Sequence, residues 1–500
     1  MIGASVMKRL QTLFVRMLGA GSPLVVGRLV SAALTFALPL ILARLLTPEE
    51  FGTYKQFFLI ASTVQLTCQL GLTQSLYYFL PRGGKERGAY IAQTFMSLAI
   101  LGVLFGAVLW LAAPMLGRWL GDGSLASLRA PLAIFGGLML CAAALESSIV
   151  SEGRIARAAL AYVISDGTRA AALVLGAKYG GPAGLFWAAA AVAGGRVAAL
   201  FLVVMSKTVP WARPHAGLFK QQLAYALPFA GASYLYVAQR YFSQYAVSAS
   251  FDAATFALFA VASFHMPMVD IVFTPLSDVM IVHVGKAQHA GDTRGMWVAW
   301  NDSVQKLAAI LLPAAACAWL FGSTLLPLLF THKYDGSVPL FMLATLEIPL
   351  WILPLDALLR AAGATRFLFL YNGVRIAFTA ALVIGGIRLF GLPGAIGGGV
   401  AAEAIARVGM LARGRRFLGV SWGGLVEWNA LGRTAVAAAV ACAPAWVVRA
   451  WVDHRMVGVV AGAAIYGATY LCILFTLNRL FRGSAAQPIG DRQPGLVVGR

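Results

Sequence analysis

TFMSLAILGVLFGAVLWLAA, residues 94–113, is a run of 20 residues without a single charged side chain. A second run, VVGRLVSAALTFALPLILA (25–43), has 19 residues, of which only Arg28 is charged. A helix that crosses the hydrocarbon core of a bilayer needs about 20 such residues. Over its 500 residues the chain is 60% hydrophobic and 12% charged, whereas ordinary soluble domains are about 45–50% apolar and about 25% charged. The sequence therefore predicts an all-α polytopic membrane protein.

Apolar segments of helical length recur along the whole chain, and fourteen of them are predicted to span the membrane. Their ranges are 24–46, 54–80, 90–113, 129–150, 158–178, 183–205, 223–246, 253–283, 296–329, 338–360, 366–388, 393–412, 430–450 and 455–477. The eighth and ninth segments are long enough to tilt strongly. The thirteenth is rich in alanine and is interrupted by Pro444.

The basic residues of the predicted loops test this count. With the N-terminus in the cytoplasm, the cytoplasmic segments hold 22 of the 39 Lys and Arg residues, and the outer loops hold seven. Cytoplasmic loops of membrane proteins are enriched in Lys and Arg. We therefore expect both termini in the cytoplasm. The net charge of +20 is then explained by topology and by anionic lipid, and not by nucleic-acid binding.

The first 22 residues are predicted to lie on the membrane surface. KRLQTLFVRML (8–18) places apolar residues at helical spacing and carries three basic residues. This pattern is typical of an amphipathic helix at the cytoplasmic interface. A basic tail without regular structure is the alternative.

The predicted loops are too short to hold a soluble catalytic domain. The chain has no GxxxxGK[ST] motif to cradle a nucleotide phosphate, and its five cysteines lack the paired spacing of a metal site. We therefore expect a transporter and not an enzyme. It would need no bound cofactor, and a proton or sodium gradient would supply the energy.

LLTPEEFGTYKQFF (45–58) lies between the first two predicted spans, on the outer face. Thr47, Pro48 and the two following glutamates form a helix N-terminus, because they supply a cap, a proline in the first turn and acids at the positive end of the helix dipole. Pro48 and Gly52 also favour a tight turn. These residues predict a helical hairpin.

The longer segment ALPLILARLLTPEEFGTYKQFFLIASTVQLTCQLGLTQSLYYFLPR (37–82) resembles the N-terminal region of the Wzx-type flippases of the MOP superfamily, which export O-antigen and exopolysaccharide. The resemblance rests on Ala-Arg near the end of the first span, on Leu-Thr-Pro-Glu-Glu-Phe-Gly-x-Tyr and on the closing Phe-Leu-Pro-Arg. Outside this segment it rests on span count, topology and length.

This resemblance implies a transporter of undecaprenyl-diphosphate-linked oligosaccharide in the bacterial cytoplasmic (inner) membrane, acting by ion-coupled alternating access. A polysaccharide polymerase and glycosyltransferases of the same pathway are implied partners. The implied architecture has two six-helix lobes around a central cavity and two further helices. The expected divisions are an interfacial helix (1–22), an N-terminal lobe (23–205), a cytoplasmic linker (206–222), a C-terminal lobe (223–412), two additional transmembrane helices (413–478) and a cytoplasmic tail (479–500).

A weak internal repeat supports the two-lobe expectation. TPEEFGTYKQF (47–57) can be aligned with ASFDAATFALF (249–259) at an offset of 202 residues, which places Glu50 on Asp252 and Tyr54 on Phe256. Parallel repeats in transporters are related by an axis along the membrane normal.

Charged residues inside the predicted spans are the candidates for function, because each costs about 2.5–3.5 kcal/mol on insertion scales. Lone bases facing a wet cavity suit a diphosphate, which needs charge-assisted donors. Lone acids suit coupling to protons or sodium. Tyr and Gln side chains, dense in YLYVAQRYFSQY (234–245), commonly bind sugars. The predicted substrate-binding residues are Arg28, Arg196, Arg240, Arg375, Lys306, Tyr234 and Gln239, and the predicted ion-coupling residues are Asp270 and Glu347.

Several of the charged and aromatic residues also have a structural interpretation. Three acid–base pairs are spaced to neutralise themselves on one helix: Asp166–Arg169, Asp302–Lys306 and Glu403–Arg407. Arg28 can extend to the cytoplasmic interface. The tyrosines of 234–245 can belong to the aromatic belt of the outer interface.

Two other transporters fit the same architecture. A MATE-like antiporter of cationic drugs would need an acid-lined cavity, whereas the predicted spans of this chain carry more bases than acids. A flippase for lipid II would share the diphosphate chemistry. A membrane-bound acyl- or glycosyltransferase would need a catalytic constellation, which the sequence lacks.

Overall fold

A computed structural model describes residues 22–151, 155–202, 214–452 and 455–482. All regular secondary structure in these ranges is helical, which confirms the predicted fold class. The predicted interfacial helix and most of the predicted tail lie outside the described residues.

The first six predicted spans are formed by eight helices and one short 3₁₀ segment, Gly84–Glu86. The helices are α1 (Ser22–Leu45), α2 (Pro48–Cys68), α3 (Leu72–Arg82), α4 (Arg87–Trp119), α5 (Ser124–Ser127), α6 (Arg129–Ala142), α7 (Ala144–Ser151) and α8 (Ile155–Leu200). Leu70 and Gly71, which both have positive φ, separate α2 from α3. The second span is therefore broken.

The next six predicted spans are formed by seven helices and three 3₁₀ segments. The helices are α9 (Ala216–Ser250), α10 (Ala253–Ala262), α11 (Met266–His289), α12 (Thr293–Phe330), α13 (Val338–Ala344), α14 (Leu355–Ala361) and α15 (Thr365–Leu418). The 3₁₀ segments are Ser263–His265, His332–Ser337 and Thr345–Ile352.

The last two predicted spans are α16 (Trp428–Val440) with α17 (Cys442–Trp451), and α18 (Arg455–Arg482). Each predicted span thus coincides with a helix or a run of helices. Within the described ranges, seven helical stretches are individually long and apolar enough to cross a membrane. Two of these stretches lie in α8 and α15, each of which holds two predicted spans. The count of fourteen stays a prediction.

The tenth predicted span is broken at Pro354. This residue has φ −79° and ψ 61°, and the N–H of Leu355 donates to the carbonyl oxygen of Leu353 at 2.8 Å. These values describe an inverse γ-turn. The 3₁₀ segment Thr345–Ile352 therefore ends where its chain changes direction, and α14 begins immediately after the turn.

The internal repeat is visible in two helix caps of the same type, and these caps are separated by a different offset from the predicted one. Thr47 caps α2 by accepting from the N–H of Glu50, and Asp252 caps α10 by accepting from the N–H of Thr255. Thr47 and Asp252 are 205 positions apart, as are the ends of α1 and α9 at Leu45 and Ser250. The predicted offset of 202 is wrong because it matched similar side chains instead of equivalent caps.

A second pair of repeated features lies at the bends of α8 and α15. Gly181 has φ 59° and Gly391 has φ 65°, and at both positions the chain leaves the helical conformation. Each bend lies between two glycines whose backbones touch, Gly176 with Gly184 and Gly386 with Gly394. All three glycines recur at an offset of 210 residues. Left-handed backbone favours glycine, so each long helix is a hairpin of two predicted spans.

The chain divides into two compact units. The first contains the chain up to Phe264 together with Leu329–Phe341 and Phe369–Ala402, and the second contains His265–Leu328, Met342–Leu368 and the chain from Glu403 onward. The predicted division into lobes at 23–205 and 223–412 stays a prediction.

Within the first unit, α2 and α10 approach each other very closely. A Cβ atom at Gly52 would lie 1.8 Å from the carbonyl oxygen of Ala253. The buried Gln56 reinforces this region, because its Nε2 donates to the carbonyl oxygen of Leu120 at 2.9 Å and to the Ser248 hydroxyl at 2.8 Å. Only glycine permits this helix crossing without a backbone shift.

Within the second unit, α12 packs against the C-terminal helices. Phe321 lies in a buried cluster with alanines of α16 and α17 and with Tyr466 and Tyr470 of α18. At the start of α12, Trp297 and Trp300 donate to the carbonyl oxygens of Gly424 and Leu425 at 2.7 and 3.0 Å. These bonds hold the loop before α16 against α12.

Candidate functional site

Two of the predicted substrate-binding residues contact each other in the first unit. Arg375 of α15 and Gln239 of α9 are both half-buried. With the Gln239 amide oxygen facing the guanidinium group, Oε1 accepts from Nη1 of Arg375 at 2.6 Å and from Nε at 2.7 Å. This contact fixes the orientation of the planar guanidinium group.

The neighbouring residues of α9 differ in how they face this pair. Arg240 is exposed, and Tyr234 and Tyr236 are 45% and 54% exposed. At 3.6 residues per turn, Tyr234 points about 140° away from Gln239, whereas Tyr236 lies within about 60° of it. Tyr236 therefore lies nearer to the face of α9 that carries Gln239, and Tyr234 stays a predicted sugar-binding residue.

Arg196 belongs to a second polar group in the first unit. Its Nη1 donates to the Ser165 hydroxyl at 2.6 Å. The adjacent Asp166 forms the predicted ion pair with Arg169 at 3.5 Å, and it also accepts a hydrogen bond from Ser31 of α1. The Ser31 hydroxyl, together with the Thr35 hydroxyl that accepts from Nη2 of Arg169 at 3.3 Å, thus ties the Asp166–Arg169 pair to α1.

Lys55 is a functional candidate that the sequence analysis missed. Its Nζ lies 5.3 Å from the ring centre of Phe51 and 5.6 Å from that of Tyr54. No described residue makes a hydrogen bond or an ion pair with this half-buried ammonium group. The predicted span began at residue 54, which placed Lys55 at the membrane edge. The Thr47 cap starts the helix at Pro48 instead, so Lys55 lies two turns inside α2.

Glu347 lies in the second unit, in the 3₁₀ segment before the Pro354 turn. Its Oε1 accepts from Nε1 of Trp351 at 3.3 Å. The guanidinium group of Arg407 lies 4.7 Å from the centre of the Trp351 ring. Arg407 also donates through Nη1 to the carbonyl oxygen of Leu353 and through Nε to Glu403, each at 2.7 Å. The predicted ion pair between Glu403 and Arg407 is thus confirmed. Through its bond to Leu353, Arg407 also holds the end of the 3₁₀ segment that carries Glu347.

The remaining predicted site residues are distributed over three helices. Lys306 forms the predicted pair with Asp302 at 2.6 Å, and both side chains are 55% exposed. Asp270 is half-buried on α11. Arg28 lies on α1, but its side chain is outside the described part of the structure. Among the described residues, no group of three His, Cys, Asp or Glu side chains could hold a metal ion.

The fold is similar to that of MOP-superfamily transporters of known structure. The chain is similar to the lipid II flippase MurJ in an inward closed conformation, with a TM-score of 0.71 and 12% identity over 92% of this chain and 99% of that one. It is similar to an inward-facing multidrug resistance MATE transporter, with a TM-score of 0.67 and 17% identity over 78% and 94% of the two chains. A Pyrococcus furiosus MOP transporter, described as having a binding pocket of reverse polarity, gives a TM-score of 0.56 and 16% identity over 80% and 94%.

The sequence comparisons identify the family. A search of curated proteins gives no significant match. The sequence model of the family described as "Polysaccharide biosynthesis protein" matches residues 41–339, which is more than half of the chain and includes most of the segment that resembles Wzx-type flippases. The chain therefore belongs to this polysaccharide biosynthesis family and has the fold of MOP-superfamily membrane transporters.

Proposed function

We propose that the protein is a flippase that moves an undecaprenyl-diphosphate-linked oligosaccharide from the inner to the outer leaflet of the bacterial cytoplasmic membrane. The observation that carries this proposal is the chemistry of two bases in the first unit. Lys55 is contacted by aromatic rings, which do not cancel its positive charge, and an amide oxygen orients the guanidinium group of Arg375. A diphosphate is bound through such charge-assisted donors.

The substrate has three chemically different parts, which the transporter would handle separately. The diphosphate would bind the bases, with Lys55 and Arg375 as the principal donors and with Arg28, Arg196 and Arg240 as further candidates. The polyprenyl tail would stay in lipid, and rocking of the lobes would expose the glycan on the outer face. Asp270 and Glu347 are the candidates for coupling this cycle to a proton or sodium gradient.

This function would place the protein in surface polysaccharide biosynthesis, for O-antigen or exopolysaccharide. Glycosyltransferases would build its substrate in the cytoplasm, and a polymerase would use the flipped product outside. The distribution of Lys and Arg over the predicted loops supports a cytoplasmic location for both termini.

A MATE-like antiporter and a lipid II flippase are the competing functions, because the fold is similar to solved structures of both kinds of protein. A cationic drug would be repelled by Lys55, which argues against the antiporter. Lipid II carries the same diphosphate, so the bases do not separate it from other polyprenyl-linked glycans. The family match is the reason to prefer an oligosaccharide of a surface polysaccharide.

The test is transport by purified protein in liposomes. Undecaprenyl diphosphate carrying N-acetylglucosamine is placed in both leaflets, and a soluble galactosyltransferase outside labels the accessible fraction. Wild-type protein should make nearly all of the lipid accessible, and Lys55→Ala and Arg375→Ala should slow this at least tenfold. Arg388→Ala is the matched control, because this arginine lies on α15 but is exposed.

Each alternative has its own result in the same vesicles. Exchange of a cationic dye for protons, without lipid movement, would indicate an antiporter. Movement of lipid II alone would indicate the lipid II flippase. Normal transport by both alanine variants would show that these bases do not bind the diphosphate.

A further inference from the structure

An arginine and an exposed tryptophan stack on each other in the second unit, where α15 ends. The guanidinium carbon of Arg415 lies 4.8 Å from the centre of the Trp422 ring. Arg415 belongs to the last turn of α15, and Trp422 lies in the loop that leads to α16. The predicted topology places this end of α15 at the cytoplasmic face of the membrane. Tryptophan is enriched at such interfaces.

The loop that carries Trp422 is fixed against α12. Its backbone accepts hydrogen bonds from the two tryptophan side chains at the start of α12 described above. The N–H of Glu427 donates to Oδ1 of Asn301 at 2.8 Å. Leu425 and Val426 are buried, whereas Trp422 itself is 50% exposed. The fixed loop therefore holds this ring at the surface, where the ring orients the guanidinium group of Arg415.

The guanidinium group of Arg415 is half-buried and has no acceptor among the described residues. Its Nε is buried without a hydrogen-bond partner, and no described residue accepts from its other two nitrogens or pairs with it as a carboxylate. A buried donor without a partner is unfavourable. Because the ring covers a face of the guanidinium plane, the N–H groups at its edge stay available. Two such N–H groups fit two oxygens of a phosphate.

Other arginines that lie over rings use their N–H groups within the protein. Nη1 of Arg82, whose guanidinium carbon lies 4.3 Å from the centre of the Tyr78 ring, donates to the carbonyl oxygen of Tyr78 at 3.1 Å. Arg407, over the Trp351 ring, bonds to a carboxylate and to a carbonyl oxygen. Arg415 thus differs from both in lacking an acceptor in the described structure.

The surroundings of Arg415 in the sequence are positively charged. Segment 408–426 contains three arginines and no acidic residue. The two others, Arg413 and Arg416, are exposed. Basic residues clustered just cytoplasmic of a transmembrane helix attract anionic lipid headgroups. The charge therefore favours an anion at this end of α15.

The same face of α15 is apolar on the membrane side of Arg415. Val408 is 62% exposed and precedes Arg415 by seven residues. At 3.6 residues per turn, the two side chains point in the same direction to within about 20°. Val408 lies in the twelfth predicted span (393–412), and Arg415 follows the end of that span. A ligand that contacts both residues needs an anionic head and an apolar tail, which a phospholipid has and a soluble phosphate lacks.

We infer that Arg415, oriented by Trp422, binds the phosphate group of an anionic phospholipid of the inner leaflet. Arg413 and Arg416 add positive charge, and an acyl chain lies along the face of Val408. The ligand is a lipid of the surrounding membrane and not the transported substrate. The inference does not depend on the proposed function, because none of these residues is a proposed donor to the diphosphate.

The test is native mass spectrometry of the full-length protein, titrated in detergent with phosphatidylglycerol or with phosphatidylcholine that has the same acyl chains. Wild-type protein should bind the first phosphatidylglycerol at least fivefold more tightly than the first phosphatidylcholine. Arg415→Gln should remove most of this preference, and Arg415→Lys should retain part of it, because a point charge lacks the fork of two N–H groups. Trp422→Leu should weaken phosphatidylglycerol binding several-fold, because Arg415 loses the ring that orients it.

Arg82→Gln is the matched control. Like Arg415→Gln, it removes one positive charge from the predicted cytoplasmic face and breaks an arginine–ring contact. Because Arg82 already donates to a carbonyl oxygen, this variant should preserve the preference for phosphatidylglycerol. Trp422 is exposed, so Trp422→Leu still tests the inference if Arg415→Gln does not fold.

Three results would overturn the inference. The first is a wild-type protein without a preference for phosphatidylglycerol. The second is an equal effect of Arg415→Gln and Arg82→Gln, which would show that only the total charge matters. The third is displacement of the first phosphatidylglycerol by an equimolar amount of inorganic pyrophosphate or undecaprenyl diphosphate, which would assign the site to a soluble phosphate or to the substrate. Failure of both competitors to displace it supports the membrane lipid.

Discussion

Replacing Arg407 with methionine would show how the second unit tolerates a charge pair in its interior. The Arg407 and Glu403 side chains are only 6% and 8% exposed. Methionine removes the bond to Glu403, the bond to the Leu353 carbonyl oxygen and the contact with the Trp351 ring. Breaking a buried pair by removing one partner costs about 3–5 kcal/mol, because the other charge stays buried. The lost carbonyl bond adds about 1–3 kcal/mol. We therefore expect Arg407→Met to lower the free energy of unfolding by about 4 kcal/mol or more.

The double variant separates the two contributions. Replacing a buried ion pair with apolar residues of similar volume is often neutral or stabilising, so Glu403→Met should recover most of the loss when it is added to Arg407→Met. A residual destabilisation of about 1–2 kcal/mol should remain, because the Leu353 carbonyl oxygen still lacks its charged donor. The double variant should thus be more stable than the single variant.

Denaturant titration in mixed micelles, followed by tryptophan fluorescence, measures these differences. A double-mutant cycle then gives the coupling energy between the two positions. If the two methionine substitutions destabilise additively, Glu403 and Arg407 do not depend on each other, and the ion pair is not what holds Arg407 against the turn at Pro354.

Three further predictions concern the first unit and the topology. Gly52→Val should block the close approach of α2 to Ala253 and destabilise the protein by about 1–3 kcal/mol, whereas a valine at the uncrowded Gly231 should not cause such a clash; equal unfolding transitions would contradict the close approach. Asp252→Ala should cost about 1 kcal/mol through loss of the α10 cap. The hydroxyl and then the backbone N–H of Thr255 hold the pKa of Asp252 below its usual value. The stabilisation by this cap is therefore present at neutral pH and is lost as the pH falls through the lowered pKa, below about 4. A stability difference between Asp252→Ala and wild type that persists at pH 2 would contradict this prediction. Reporter fusions after residues 85, 155, 213, 290 and 415 should all report the cytoplasm and a fusion near residue 335 the outside, and two adjacent sites that break this alternation would refute the fourteen-span count.

The helical fold could be predicted from the sequence because hydropathy acts locally. Each apolar segment must satisfy its own backbone hydrogen bonds in lipid, which only a helix allows within one segment. The caps at Thr47 and the pair Glu403–Arg407 were also predictable, because both involve residues three or four positions apart. The repeated glycines of α8 and α15 are visible in the sequence at an offset of 210. They were missed because the comparison matched side-chain similarity around residue 50 instead of helix-breaking positions.

The candidate site was less predictable because its contacts join distant segments. Sequence spacing identified Gln239 and Arg375 separately, but their contact depends on the packing of α9 against α15. Lys55 was missed for a different reason. A boundary error of six residues at the start of α2 moved this ammonium group from the membrane edge into the helix.

The bases within the predicted spans fall into two groups, and this division bears on function. Arg169 and Arg407 each have a carboxylate on the same helix, so the pair is close to neutral and its insertion is less costly. The contacts described for Lys55 are with rings, which orient a cation without neutralising it. A charge retained in this way is unfavourable for folding in lipid, and binding a diphosphate is one way to recover that cost. The paired arginines are therefore expected to affect stability first, whereas Lys55 is expected to affect transport first.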